Sequence, residues 1–144
     1  DDHEIKFQIP LSLKFFGEFY SYFFLSINGV CQLTKSKTAK FSVYPYPRSF
    51  PMRNQSILAP YWADINTNTF GEVYYREVID LKSLTRISCD ISRSYLTFTD
   101  YKPSWGFIIT WHDVGAHGYS SGQSEMSAKN TFQLILSTDG LILF

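Results

Sequence analysis

The sequence predicts a mainly β fold, an antiparallel β-sandwich with one short α-helix at about residues 83–93. Three observations carry this. The 144 residues include 13 Phe, 10 Tyr and 3 Trp, residue types that favour a pleated, half-buried surface. Several short runs alternate apolar and polar residues with the period of two that a strand requires. Turn formers, above all Asn28-Gly29, Asp64 to Gly71 and Asp139-Gly140, separate these runs.

Taken in order, Phe15 to Ile27 places Phe23, Leu25 and Ile27 on one face and Tyr22, Phe24 and Ser26 on the other, so it reads as a strand with one buried face. Asn28-Gly29 tolerates the positive φ of a two-residue hairpin turn, and Val30 to Leu33 returns antiparallel. Thr34 to Met52 is polar at its start and carries Pro45, Pro47 and Pro51, which cannot donate to a sheet ladder; it reads as loop. Ile57 to Ala63 is apolar on both faces and reads as a buried strand entering the polar turn Asp64 to Gly71. Glu72 to Val78 has strand composition. Beyond Asp80 the spacing changes to Leu84, Ile87 and Ile91, the i, i+3, i+7 stripe of a helix that Ser83 can cap. By that helical wheel, Cys89 points away from the stripe. Trp105 to Trp111 and Thr131 to Leu136 read as central strands joined by a polar loop from His112 to Asn130, and Asp139-Gly140 turns the chain into the last apolar segment, Leu141 to Phe144.

Composition limits the function classes. With 13 Lys+Arg against 13 Asp+Glu, the chain has no net charge and its basic residues are scattered, so no field is concentrated for nucleic acid. The apolar runs fall far short of the roughly 20 residues of a spanning helix, so no membrane insertion by this domain is expected. With 44% hydrophobic residues, the chain can bury roughly two-thirds of its unfolded surface, enough for one domain over residues 1–144. It starts at Asp1 without a leader and stops at the apolar Phe144, and the expectation is a module excised from a larger protein.

Chemistry-bearing residues point weakly to catalysis. His112 and His117 are one position too far apart for a helical zinc pair. Glu72 and Glu77 lie at odd spacing on a strand, on opposite faces, and cannot flank one glycosidic bond unaided. No Gly-x-Ser-x-Gly elbow supports a hydrolase triad. No catalytic residue is assigned, and no cofactor is expected. Asp64, Asn66 and Asn68 repeat an oxygen ligand at every second position, as the first half of a calcium loop does, but Thr69 and Tyr75 stand where Gly and Glu are needed. Any calcium there would be held weakly, and an Asx-type turn accounts for the same residues. Tyr44, Tyr46, Tyr95 and Tyr101 could form a stacking platform or lie in the core. Cys31 and Cys89 fit no metal spacing and leave one disulfide or two free thiols; Asn54-Gln55-Ser56 is a glycosylation sequon.

Five ordered blocks then resemble one family. Phe15-Phe16-Gly17 with Tyr20 and Asn28-Gly29, Ala59 to Asp64, Gly71 to Glu77, Phe107 to Gly115, and Asn130 to Gly140 resemble the NIDO domain, the nidogen-like extracellular module of nidogen (entactin), alpha-tectorin and mucin-type or sushi-containing matrix proteins. Asn66 departs from the family's second Asp, which weakens the calcium reading further. The resemblance implies a secreted protein, or the ectodomain of a membrane-anchored one, and a non-enzymatic part in cell–matrix adhesion or matrix assembly. It implies extracellular matrix or cell-surface proteins as partners, and glycans as a further class. In that oxidising compartment, a Cys31–Cys89 disulfide and a glycan on Asn54 are expected. Rival readings are a carbohydrate-binding module, an architectural spacer with no ligand of its own, and a hydrolase using His112. The binding residues are unassigned, with the Tyr44 to Arg53 loop, the Asp64 to Gly71 turn and the His112 to Asn130 loop as candidate surfaces.

Overall fold

A computed structural model describes residues 3–45, 52–68, 70–117 and 129–144. Among the described residues, nine strands form two antiparallel sheets. The first has the order β1 (Glu4–Phe15), β2 (Glu18–Ser26), β3 (Val30–Thr34) and β4 (Ser56–Leu58). In the second, β7 (Gly106–Ala116) pairs on one side with β8 (Asn130–Ser137), which pairs with β9 (Ile142–Leu143). The other side of β7 takes both β5 (Ile65–Asn66), at Gly115 and Ala116, and β6 (Glu72–Val78), from Gly106 to His112.

Alternation along the strands builds the core. Phe7, Phe23, Leu25, Cys31, Leu33 and Leu58 point inward from the first sheet and meet Phe107, Ile109, Trp111, Leu134 and Leu136 from the second. The rings of Phe7, Phe23 and Phe107 lie within 5.2 Å of one another, centroid to centroid, and Tyr75 packs its edge on Phe7 at 4.9 Å. Ring pairs of this geometry add about 0.5–1.5 kcal/mol each beyond area burial. The intervening residues of β7 and β8, Ile108 and Ile135, face the opposite way and pack with Leu84, Ile87 and Ile91 of α1 (Leu81–Ser94). The layers are therefore sheet, sheet, helix.

The mainly β class, the hairpin, β6 to β8 and the final turn follow the sequence reading. Several details differ. The chain from Glu4 forms a long strand, β1, which the sequence reading did not assign, and Phe16-Gly17 turns it into β2. The second half of β2 is buried on both faces, because residues 35–45 lie over the outer side of the first sheet: Phe41 packs on Phe24, and the Gln32 side chain both accepts from Ser42 N at 2.9 Å and donates to Ser42 Oγ at 3.0 Å. Lys6 Nζ holds this segment by donating to the carbonyls of Ser36, Lys37 and Ala39. The β2–β3 turn has three residues, with Gly29 at φ +69°. β4 is only three residues long; Ala59 to Asp64 leaves the sheet as irregular chain.

The helix starts earlier than expected. Asp80, not Ser83, caps it: the Asp80 carboxylate accepts from Ser83 N at 2.9 Å. That bond, with Arg76 nearby, holds the Asp80 carboxyl below its ordinary value. The cap's contribution is present above the unfolded carboxylate range and is lost as pH falls through the lowered folded value. Cys89 is exposed, as the wheel predicts, whereas Cys31 is fully buried in the inter-sheet core. Both are free thiols, so the expected disulfide is not formed. The second sheet lies between them, since Cys31 packs on its inner face and α1 on its outer face. Burial also pushes the Cys31 thiol up, toward the neutral form.

Candidate functional site

Asn28-Gly29, Ala59 to Asp64, Trp111 and Phe132, parts of four of the blocks that carry the family resemblance, meet at one end of the sandwich, whereas Phe15 to Gly17 lies at the other end of β2. The β2–β3 turn brings Asn28 under Ala59 to Ile65. Asn28 O accepts from Ala63 N at 3.2 Å, and Asn28 Oδ1 accepts from Ile65 N at 2.8 Å. Gly29 fits flush on this segment, because a Cβ there would lie 1.9 Å from Tyr61 O. Trp111 donates its indole N–H to Ser26 O at 3.2 Å and stacks on Phe132 at 4.8 Å, and Phe132 in turn meets Tyr61 at 5.3 Å. Asn28-Gly29, Pro60-Tyr61-Trp62-Ala63 and Trp111 are one packed unit. Their role is to join the sheets.

The Asp64 to Gly71 turn continues from this unit. Asn66 Oδ1 accepts from Asn68 N at 2.9 Å, the Asx-type turn that competes with a calcium reading. Asp64 bonds through its backbone oxygen to His117 N at 2.8 Å and places its carboxylate 3.8 Å from the His117 ring. Among the described residues, no group of three or more His, Cys, Asp or Glu side chains is arranged to hold a metal ion. Thr69, in the middle of the turn, is outside the described residues. Gly71, at φ +77°, lets the turn press on β7, where a Cβ would lie 2.4 Å from His112 O. His112 to Ala116 belongs to β7 and not to a loop; residues 118–128 of the expected loop lie outside the described residues.

The other candidates separate in space. Tyr101 is core, its hydroxyl bonded to Ser137 Oγ at 2.9 Å and to Thr138 O, and burial pushes the phenol up. Tyr95 sits at the C-terminal end of α1 and donates to Ile142 O at 2.9 Å. Tyr44 is exposed and accepts through its backbone oxygen from Trp62 Nε1 at 3.0 Å, while Tyr46 is outside the described residues. Of the two alternatives for these tyrosines, Tyr101 takes the core one, and Tyr44, Tyr95 and Tyr101 do not come together as a platform. Asn54 is exposed at φ +62° in the turn before β4; residues 46–51 of the Tyr44 to Arg53 loop are outside the described residues.

The site that sequence reasoning missed is an edge. β1 borders the first sheet and β6 the second, and a cleft of about 480 Å³ opens between them. Leu25, Ile27 and Val73 form its apolar lining, while Ile5, Tyr74 and Tyr75 border it at 44%, 54% and 45% exposure. Glu72 stands beside them and accepts a hydrogen bond from the Tyr74 hydroxyl, which holds the Tyr74 phenol above its ordinary value. His112 packs edge-on against the Tyr74 ring. Glu77, by contrast, turns to the other face and accepts from Trp105 Nε1 at 2.6 Å. The β-rich spacing of Glu72 to Val78 signals the strand; which of its edges stays open depends on the pairing of distant segments.

The nidogen-like domain family matches residues 21–144. Alpha-tectorin of Mus musculus is 36% identical over 142 residues, covering 98% of this chain and 6% of its own length. Mucin-4 of Mus musculus is 30% identical over 126 residues, 82% of this chain and 4% of its own, and Nidogen-2 of Mus musculus 25% over 143 residues, 96% and 10%. The chain thus spans a small fraction of the curated relatives it matches. No solved structure matches it. The chain belongs to the nidogen-like domain family and is an extracellular module of that family.

Proposed function

We propose that this domain is a non-catalytic interaction module that contributes to cell–matrix adhesion or matrix assembly by binding another extracellular protein. The observation that carries the reading is the β1/β6 edge: exposed Ile5, Tyr74 and Tyr75 surround an apolar cleft on a rigid sandwich. Aromatic side chains that lose little entropy on burial are the usual anchors of protein interfaces. His112, which the hydrolytic reading would use, packs edge-on against the Tyr74 ring. A glycan on the exposed Asn54 belongs to the same proposal and fits a secreted module.

The test is saturable binding of the secreted, glycosylated domain to immobilised matrix proteins and glycans, with calcium and with chelator. Saturable capture by a matrix protein, unchanged by chelator and by free sugar, is the expected result. Competition by free sugar would replace this reading with a carbohydrate-binding one. Silence across the panel would replace it with a purely architectural role.

A further inference from the structure

The two strands that border the cleft are protected very differently. β1 carries Pro10, a bulge between Gln8 and Leu13, and Ser12 at φ +33°, all of which spoil an edge for further pairing. β6 has none of these. Its seven residues pair with β7 in unbroken register from Glu72↔His112 to Val78↔Gly106. Antiparallel pairing leaves alternate N–H and C=O groups of such a strand directed away from its neighbour. On that outer side of β6, no backbone hydrogen bond is made among the described residues. An unbulged edge beside an apolar cleft is the geometry that accepts an added strand, with backbone bonds for affinity and the cleft for alternate side chains.

Charge selects the occupant. Three side chains of β6 carry formal charge at neutral pH. Arg76 lies 3.9 Å from Asp80 and 3.3 Å from Ser83 Oγ, and Glu77 is bonded to Trp105. Glu72 is held by the Tyr74 hydroxyl and has no cation within ion-pair distance among the described residues. A carboxylate beside an exposed phenol ring suits a cation, through a charge-assisted hydrogen bond and the ring face together.

We propose that the open edge of β6 binds an extended, Lys- or Arg-bearing segment of a partner protein as an added strand, with the cation seated on Glu72 and Tyr74 and the intervening apolar side chains in the cleft. This rests on the interaction-module reading above and names its partner chemistry.

The experiment titrates the secreted domain with three blocked, fluorescein-labelled octapeptides: alternating valine and lysine, alternating valine and glutamate, and the lysine peptide with a central proline. Binding is read by anisotropy, and the bound region by hydrogen exchange. The lysine peptide should bind about tenfold or more tightly than the glutamate peptide, and the central proline should abolish binding. Exchange should slow within residues 72–78. Glu72→Gln should weaken lysine-peptide binding about five- to tenfold with an unchanged melting curve, which separates recognition from folding. Equal affinity for both charges, slowed exchange elsewhere, absence of binding, or pairing of two domain copies through β6 would each overturn the proposal. Capture by the matrix panel that survives Glu72→Gln and Tyr74→Ala would also overturn it, leaving adhesion through another surface. A silent panel with intact peptide binding would remove the adhesion reading and keep this site.

Discussion

The end of the sandwich around Asn28 and the edge along β6 are both rich in aromatic residues, yet they do opposite things with them. At the end, the fully buried Trp111 stacks on Phe132, which meets the half-exposed ring of Tyr61, and the polar groups of Ser26 and Asn28 are buried and hydrogen-bonded. At the edge, Tyr74 and Tyr75 present about half of their surface to solvent, beside a carboxylate that has no ion pair among the described residues. The difference teaches that residues of the recognisable blocks take both parts: Asn28, Gly29 and Trp111 hold the chain together, whereas Glu72, Tyr74 and Tyr75 of the Gly71 to Glu77 block border the open cleft.

Substitution at the packed end should reveal this most sharply at Gly29. Gly29→Ala combines a side chain at positive φ with a Cβ 1.9 Å from Tyr61 O, so the Ala59 to Asp64 segment must move. A loss of about 3 kcal/mol or more is expected, read as a fall in Tm of roughly 10 °C or as failure of the domain to be secreted. A Tm within a degree of the parent would break the claim that this end is a rigid joint. Asn28→Ala should have a smaller effect, since it removes the acceptor for the buried Ile65 N–H without a clash. About 1–3 kcal/mol is the cost of such an unsatisfied donor, measurable by chemical denaturation. The smallest effect is expected at the edge. Tyr74→Ala should leave the melting curve unchanged while reducing capture on the matrix panel, because the ring is exposed and its partners are a surface carboxylate and the His112 ring. Destabilisation by Tyr74→Ala as large as that by Asn28→Ala would erase the distinction between the two regions.

Much of the fold was legible because its signals are local. Alternation in Phe107 to Trp111, the stripe Leu84, Ile87 and Ile91, and the turn residues Asn28-Gly29 and Asp139-Gly140 each act within a few positions. β1 escaped notice although Ile5, Phe7 and Ile9 alternate, because Pro10 and Ser12 interrupt the pattern of a bulged edge strand. The helix start was misplaced because Ser83 and Asp80 both suit a cap; the carboxylate of Asp80, three residues before Ser83 N, has the better reach. Ala59 to Ala63 reads as a buried strand from its apolar content, but Asn28 takes the backbone of Ala63 and Ile65, and only Ser56–Leu58 remains in the sheet.

The sequence by itself determined the β class, the position of the helix, most of the strands and membership in an extracellular family, since composition, periodicity and turn chemistry are properties of neighbouring residues. The tertiary structure decided that Cys31 and Cys89 lie on opposite sides of a sheet, and that β6 pairs with β7 alone among the described residues, which leaves its other edge open beside Glu72. Each of these depends on strand order and layer stacking, which arise from contacts between residues tens of positions apart. No local pattern encodes which side of a strand will lack a neighbour.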